Sequence, residues 1–249
     1  MELIRPYWNV PDRIGSLCTT RDGGVSGGGY AGLNLGLHTG DREEDVLANR
    51  RLLQNAAGVV RVVYVRQIHE TGVADADGIA DGATVEADAV FTRTPGTAVA
   101  IMTADCLPVL LADADATVAA AAHAGWRGLC RGVLENTVDA LGVEPSVLRA
   151  YLGPCIGPSS FEVGPEVIEA FLQADGNCAC CFAPGKSGDR YLADLPRLAR
   201  MRLRRAGIPD GSIFGGVFDT YAMPDLFYSY RREKICGRMA SLVWIRRQN

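Results

Sequence analysis

The stretch that most constrains this chain is residues 100–131, AIMTADCLPVLLADADATVAAAAHAGWRGLCR. It holds two apolar runs of strand length, 107–112 and 117–122, and each begins or ends beside a residue able to bind a metal. Cys106 follows Thr103-Ala104-Asp105, where an earlier apolar run (97–102) stops. His123 sits where the alanine run breaks into Ala124-Gly125-Trp126-Arg127-Gly128. A thiol and an imidazole at neighbouring strand ends, beside glycines that let a ligand approach the backbone, have the look of a site. A third candidate, His69, lies upstream in Arg66-Gln67-Ile68-His69, at the end of the apolar run 59–65.

At 249 residues the chain is within range for one α/β unit, and 48% hydrophobic content against 22% charged allows a sizeable core. No apolar run reaches membrane-spanning length, the N-terminus shows no signal region, and the net charge of -4 gives no reason to expect nucleic acid. Basic residues cluster at 197–205, read as a solvated helix face, and at 231–234. Eight irregularly spaced cysteines point to a reducing, cytoplasmic setting with mostly free thiols. Cys178-Ala179-Cys180-Cys181 reads as structural, because adjacent cysteines converge poorly on one ion.

In chain order, 14–20 reads as a strand leading into the glycine-rich 21–29, which lacks dinucleotide spacing and reads as a substrate-facing loop. A helix follows over 42–57, with Asp41 or a neighbour as its cap. Strands are expected at 59–65, 85–92, 97–102, 107–112 and 117–122, with 74–84 a loop. Helices are expected at 129–141, 164–173 (Pro165 in its first turn) and 194–206, with a strand at 147–152. Two closing strands, 226–231 and 238–245, complete an α/β fold: a single layered domain spanning 1–249, with mixed β-sheets flanked by helices.

Catalytic zinc typically has three protein ligands and an open position, and His69, Cys106 and His123 supply that count and those atom types. From spacing alone, two ordinary histidines and a buried thiol remain an open alternative. Asp105, beside Cys106, could orient a ligand or carry a proton, making Asp105, Cys106 and His69 the catalytic candidates. Arg21, Arg66, Arg127 and Arg231 are candidates for holding an anion such as phosphate, with Gln67 beside them as a substrate-binding candidate. Among Phe227, Tyr228 and Tyr230, one aromatic could lie against a flat base.

Longer motifs go further. CTTRDGGVS (18–26), LNLGLHTGD (33–41), RQIH (66–69), EADAVFT (86–92), MTADCLPVLLAD (102–113), AAHAGWRGL (121–129), YLGPCIGP (151–158), FEVGPEV (161–167) and YSYRREKICGRMASLVWI (228–245) lie in order along nearly the whole chain. With them the chain resembles the YfiH family, also called laccase-domain or polyphenol oxidoreductase proteins and, in bacteria, peptidoglycan editing factors. The resemblance implies a layered α/β domain with zinc on His69, Cys106 and His123. It also implies purine nucleoside phosphorylase activity with adenosine deaminase activity, on adenosine, inosine and S-methyl-5′-thioadenosine. The partners implied are a small nucleoside and phosphate, with no nucleic acid and no membrane; oligomeric state is not legible. Three departures stand out: Glu70 for a usual glycine, Phe218-Asp219-Thr220 for His-Cys-Thr, and Cys236 for threonine.

Two competing functions are testable. A multicopper phenol oxidase needs many imidazoles, and this chain has three histidines, although Cu2+ could displace Zn2+ at such a site. A peptidoglycan-precursor editing hydrolase or binding factor is the other alternative.

Overall fold

The central strands are apolar but for a few residues near their ends, and the structure, a computed structural model describing residues 1–248, covers them on both faces. The described strands are β1 (Leu3–Ile4), β2 (Ile14–Thr19), β3 (Arg61–Tyr64), β4 (Val73–Asp75), β5 (Ala89–Thr92), β6 (Thr97–Thr103), β7 (Leu107–Asp113), β8 (Ala119–Ala124), β9 (Leu148–Leu152), β10 (Glu162–Val163), β11 (Phe182–Pro184), β12 (Tyr191–Ala193), β13 (Ile213–Gly215) and β14 (Met239–Ile245). The α-helices are α1 (Glu43–Ala57), α2 (Trp126–Arg131), α3 (Val133–Leu141), α4 (Pro165–Ala174) and α5 (Leu195–Arg205).

One sheet has the order β1-β2-β14-β6-β3 and a second β13-β9-β7-β8-β5-β4; a small third sheet, β10-β12-β11, is hydrogen-bonded to neither and packs into the helix-side core of the second. Both large sheets are mixed: β3 runs parallel to β6, and β4 to β5, among antiparallel neighbours. Alternating side chains sort the layers. Val99, Ile101, Val243 and Ile245 of the first sheet meet Val90, Leu110, Ala119 and Ala121 of the second. The other face of the second sheet, including Leu107, Val109 and Leu111 with Ala120 and Ala122, packs on helix residues Leu129, Val138, Phe171 and Leu198. On the far side of the first sheet, Ala98, Leu242 and Trp244 pack with Leu53 of α1. The result is a single layered α/β domain, as expected.

Several boundaries move for physical reasons. The expected helix 129–141 is two helices, because Gly132 takes φ 101° between α2 and α3. Segment 226–231 is turn and coil: Phe227 and Tyr228 are adjacent yet both fully buried, so their pattern anchors a loop rather than a ladder. The expected loop 74–84 begins in β4 and a short 3-10 turn. Arg42 is the cap position of α1, where Asp41 Oδ1 accepts from its backbone N–H at 2.8 Å. Pro165 opens α4, and Asp194 caps α5 by accepting from Arg197 N–H.

The topology gathers one edge. Antiparallel register pairs Leu107 with Ala124 and Pro108 with His123, so the start of β7 lies beside the end of β8. After β3 the chain crosses from the first sheet to β4 of the second, and the segment around residue 69 lies on that crossing.

The turn after β4 is pinned by Asp77, whose carboxylate accepts from the Thr92 hydroxyl (2.6 Å) and the Arg93 N–H (2.9 Å). Burial pushes this carboxyl up, but the hydrogen bonds from Thr92, Arg93 and Thr94 outweigh it and hold it below its ordinary value. A group depressed in this way adds stability that is fully present above the unfolded value, about 3.9, and is lost as pH falls through the folded one. Asp77→Asn should therefore be less stable than the parent at pH 7, with the gap closing towards pH 3. Urea unfolding at the two pH values measures this; a gap independent of pH would refute it.

Candidate metal centre and its cavity

His69, Cys106 and His123 converge where the topology brings these edges together. Their ligand atoms all lie within 4.8 Å of one another, and the two imidazoles meet edge to face with centroids 4.8 Å apart. His123 is buried, Cys106 half-buried and His69 exposed, and all three line a cavity of about 520 Å³.

Two of the three are aimed by strained backbone. Asp105, just before Cys106, has φ 94°, and His69 has φ 63°. A left-handed non-glycine residue costs on the order of 1–3 kcal/mol. What holds His69 there is Asp88, a fully buried carboxylate just before β5. Asp88 Oδ1 accepts from His69 N–H (3.0 Å), and Oδ2 accepts from Ile68 N–H (3.2 Å) and Glu70 N–H (2.7 Å). Hydrogen bonds to a charged group are worth roughly 1.5–3 kcal/mol each, so three outweigh the strain. The same carboxylate faces His123 Nδ1 at 2.8 Å, and the Asp88 carbonyl accepts from the His123 N–H at 2.6 Å. An ionised Asp88 keeps the proton on Nδ1 and leaves Nε2 free as a donor atom.

The donor set suits a metal. Burial pushes the Cys106 thiol up, but His123 and His69 overcome it and lower it to about 6. Burial alone would depress His123, yet Cys106 and Asp88 raise it to about 9. A thiolate and two imidazoles are ligands that transition metals and zinc accept. Gly125 leaves the space open: a Cβ there would lie 3.2 Å from Cys106 Sγ and 3.3 Å from both His123 Cε1 and His69 Cδ2. The three residues could therefore hold a metal ion.

Of the remaining candidates, Arg66 and Gln67 also line the cavity. Arg66 is ion-paired with Glu86. The Gln67 amide is spent on the backbone of Met102, donating to its carbonyl (2.8 Å) and accepting from its N–H (2.9 Å), which ties the His69 segment to β6. Asp105 is not among the lining residues. Its carboxylate is buried and accepts from Thr220 Oγ1 (2.6 Å), Ser229 Oγ (3.0 Å) and Arg231 N–H (2.7 Å). That places Asp105 as the anchor of the 220–231 segment behind Cys106, not as a carboxylate facing the cavity. Arg21 donates to Pro224 O, Arg231 to Glu162 O, and exposed Arg127 lies over the Trp126 ring; none of the three lines the cavity. The glycine-rich loop also packs elsewhere, held by Asn49, which accepts from Val25 N–H and donates to Ser26 Oγ. Of the three aromatics, Tyr230 lines the cavity.

Sequence reasoning misses Asp88, His38 and Arg238, the last two also lining the cavity. The signal for Asp88 is an acid heading the apolar run 89–91.

Two substitutions probe this arrangement. Asp88→Asn keeps the shape but removes the charge and places an amide NH2 against N–H donors, so metal affinity should fall about 10–100-fold in a chelator competition. Unchanged affinity would dissociate Asp88 from the donors. Gly125→Ala should leave the fold intact by circular dichroism while lowering bound metal per chain measured by mass spectrometry.

The chain has full-length relatives. A family described as multi-copper polyphenol oxidoreductase laccase matches residues 15–246. The Escherichia coli (strain K12) protein named purine nucleoside phosphorylase YfiH is 46% identical over 98% of this chain and 99% of its own length. A purine nucleoside phosphorylase of Pseudomonas aeruginosa is 46% identical, covering 97% of this chain and 98% of its own. The crystal structure of a Neisseria meningitidis protein superposes with a TM-score of 0.94 at 46% identity, over 99% of this chain and 100% of that one. With the match spanning both large sheets and all three donors, the chain belongs to the YfiH family of laccase-domain proteins.

Proposed function

We propose that this chain is a zinc-dependent purine nucleoside phosphorylase with adenosine deaminase activity, acting on adenosine, inosine and S-methyl-5′-thioadenosine. The observation that carries the reading is the meeting of His69, Cys106 and His123 on a cavity of about 520 Å³, in a chain whose full-length relatives bear the phosphorylase name. A cavity of this size suits a small ligand. We take residues 1–249 as one functional domain. We place the enzyme in the cytoplasm; no described helix is long and apolar enough to cross a membrane.

A divalent ion held by the three donors supplies Lewis-acid stabilisation of negative charge. The chain's own residues do the rest. Asp88 fixes the tautomer of His123 and the position of the His69 backbone, so the donors are aligned before substrate enters. Tyr230, at the cavity wall, offers an aromatic face to a purine. In phosphorolysis an oxygen of phosphate forms a bond to the ribose C1′. The C1′–N bond breaks, its electron pair leaves with the base, and the base takes up a proton. In deamination water adds at C6 of adenine and ammonia leaves.

Copper phenol oxidation is not favoured, despite the family's description. Three histidines in the whole chain, two of them in this one site, leave a single imidazole, His38, where further copper centres would need many. Copper could still occupy the same donors in place of zinc.

Incubating the zinc-loaded protein with adenosine, with and without phosphate, should yield phosphate-dependent adenine and phosphate-independent inosine by chromatography. Cys106→Ala should lose at least 100-fold of both. Adenosine returned unchanged at high enzyme concentration would sink the purine reading.

A further inference from the structure

Guanidinium groups drawn partly out of water are normally paired with an anion. Beside the proposed metal centre two are not. Arg238 lines the cavity and is half-buried; its Nη1 donates to the carbonyls of Cys236 and Gly237 and to the Cys236 sulfur. Nε and Nη2 make no hydrogen bond to the described residues. Arg50, half-buried behind the cavity wall, donates to Leu35 O and to the sulfur of Met102, a lining residue, and stacks over Tyr64 at 3.9 Å. Among the described residues neither guanidinium forms an ion pair with a carboxylate.

His38, on the same cavity, feels both cations. Partial desolvation of this solvent-reaching ring lowers its pKa, and Arg238 and Arg50 lower it further, so at neutral pH it is an uncharged imidazole with one N–H to donate. No aspartate or glutamate lines this cavity, although the chain as a whole carries a net charge of -4. The cavity wall is thus a local excess of positive charge with unused donors, held in place by the fold.

We propose that Arg238 and His38, backed by the charge of Arg50, form a subsite for a phosphate-class oxyanion in the same cavity as the three metal donors. The planar fork of a guanidinium fits two oxygens of such an anion, and the imidazole N–H reaches a third. This deepens the proposed reading and rests on it for the role of the anion as the reactant that attacks C1′. The oxyanion has two sources, free inorganic phosphate or the phosphoryl group of a nucleotide.

Thermal-shift titration of the zinc-loaded protein tests the subsite without requiring turnover. Sodium phosphate and adenosine 5′-monophosphate are the probes, with sodium chloride at matched ionic strength as control. Saturable protection should weaken at least tenfold in Arg238→Gln and also in His38→Gln. His38 is exposed, so its variant keeps the fold even if Arg238→Gln does not. In phosphorolysis assays the same variants should raise the KM for phosphate at least tenfold while the nucleoside KM stays within threefold. Protection by phosphate that depends on Arg238, without nucleoside cleavage, would keep the subsite and remove the phosphorylase reading. Arg238-dependent protection by the nucleotide alone would keep the subsite and assign its anion to a nucleotide. Protection equal in all three proteins, or absent with both probes, would overturn the subsite.

Discussion

The arrangement depends on one carboxylate. Asp88 is fully buried, and its two oxygens gather three consecutive backbone N–H groups and the Nδ1 of His123. A buried charge is tolerable only when its hydrogen-bonding capacity is filled, and here the groups that fill it belong to the two histidine segments. The stability of the charge and the geometry of the donors are therefore one fact. Burial raises the Asp88 carboxyl, and the His123 and backbone donors more than reverse it, so the side chain stays ionised. His69 cannot leave its left-handed conformation without stripping Asp88 of partners.

Around this anchor the fold supplies position and little else. Register between β7 and β8 sets Cys106 beside His123, and the crossing from β3 to β4 delivers His69 from the other sheet. Gln67 closes the triangle by pairing with the Met102 backbone of β6 in the manner of an additional strand residue. Behind Cys106, Asp105 performs a parallel task for the C-terminal segment, gathering Thr220, Ser229 and Arg231. Two aspartates thus organise the two sides of the cavity. The departure Phe218-Asp219-Thr220 keeps the threonine that Asp105 uses, and Glu70 finds an ion pair with Arg131.

What the sequence discloses follows from how local each cause is. Cys106 and His123 are legible because metal-ligating residue types stand at the ends of apolar runs, a pattern that survives without tertiary knowledge. Asp88 is not, because an acid before a strand looks like a turn residue until its partners from residues 68–70 and 123 are seen. Arg21, Arg127 and Arg231 stand out by residue type alone, and guanidinium placement is decided by long, flexible side chains reaching distant carbonyls such as Pro224 and Glu162. The same holds for segment 226–231, where Phe227 and Tyr228 fill a hydrophobic cluster with Met239 instead of pairing with a strand. Gly132 reads as part of a helix because its neighbours are good helix residues; only its φ of 101° divides the element.

β8 carries a last consequence. Five of its six residues are alanine, all fully buried, with Ala119 and Ala121 meeting the other sheet while Ala120 and Ala122 meet the helices. Both neighbouring layers pack directly on this strand, and side chains of one carbon leave nothing to compress. A larger residue anywhere along it would act as a wedge whose displacement travels down a stiff ladder to His123 at its end. Substitutions up to four residues before His123, at alanines that do not line the cavity, would then behave as mutations of the site itself.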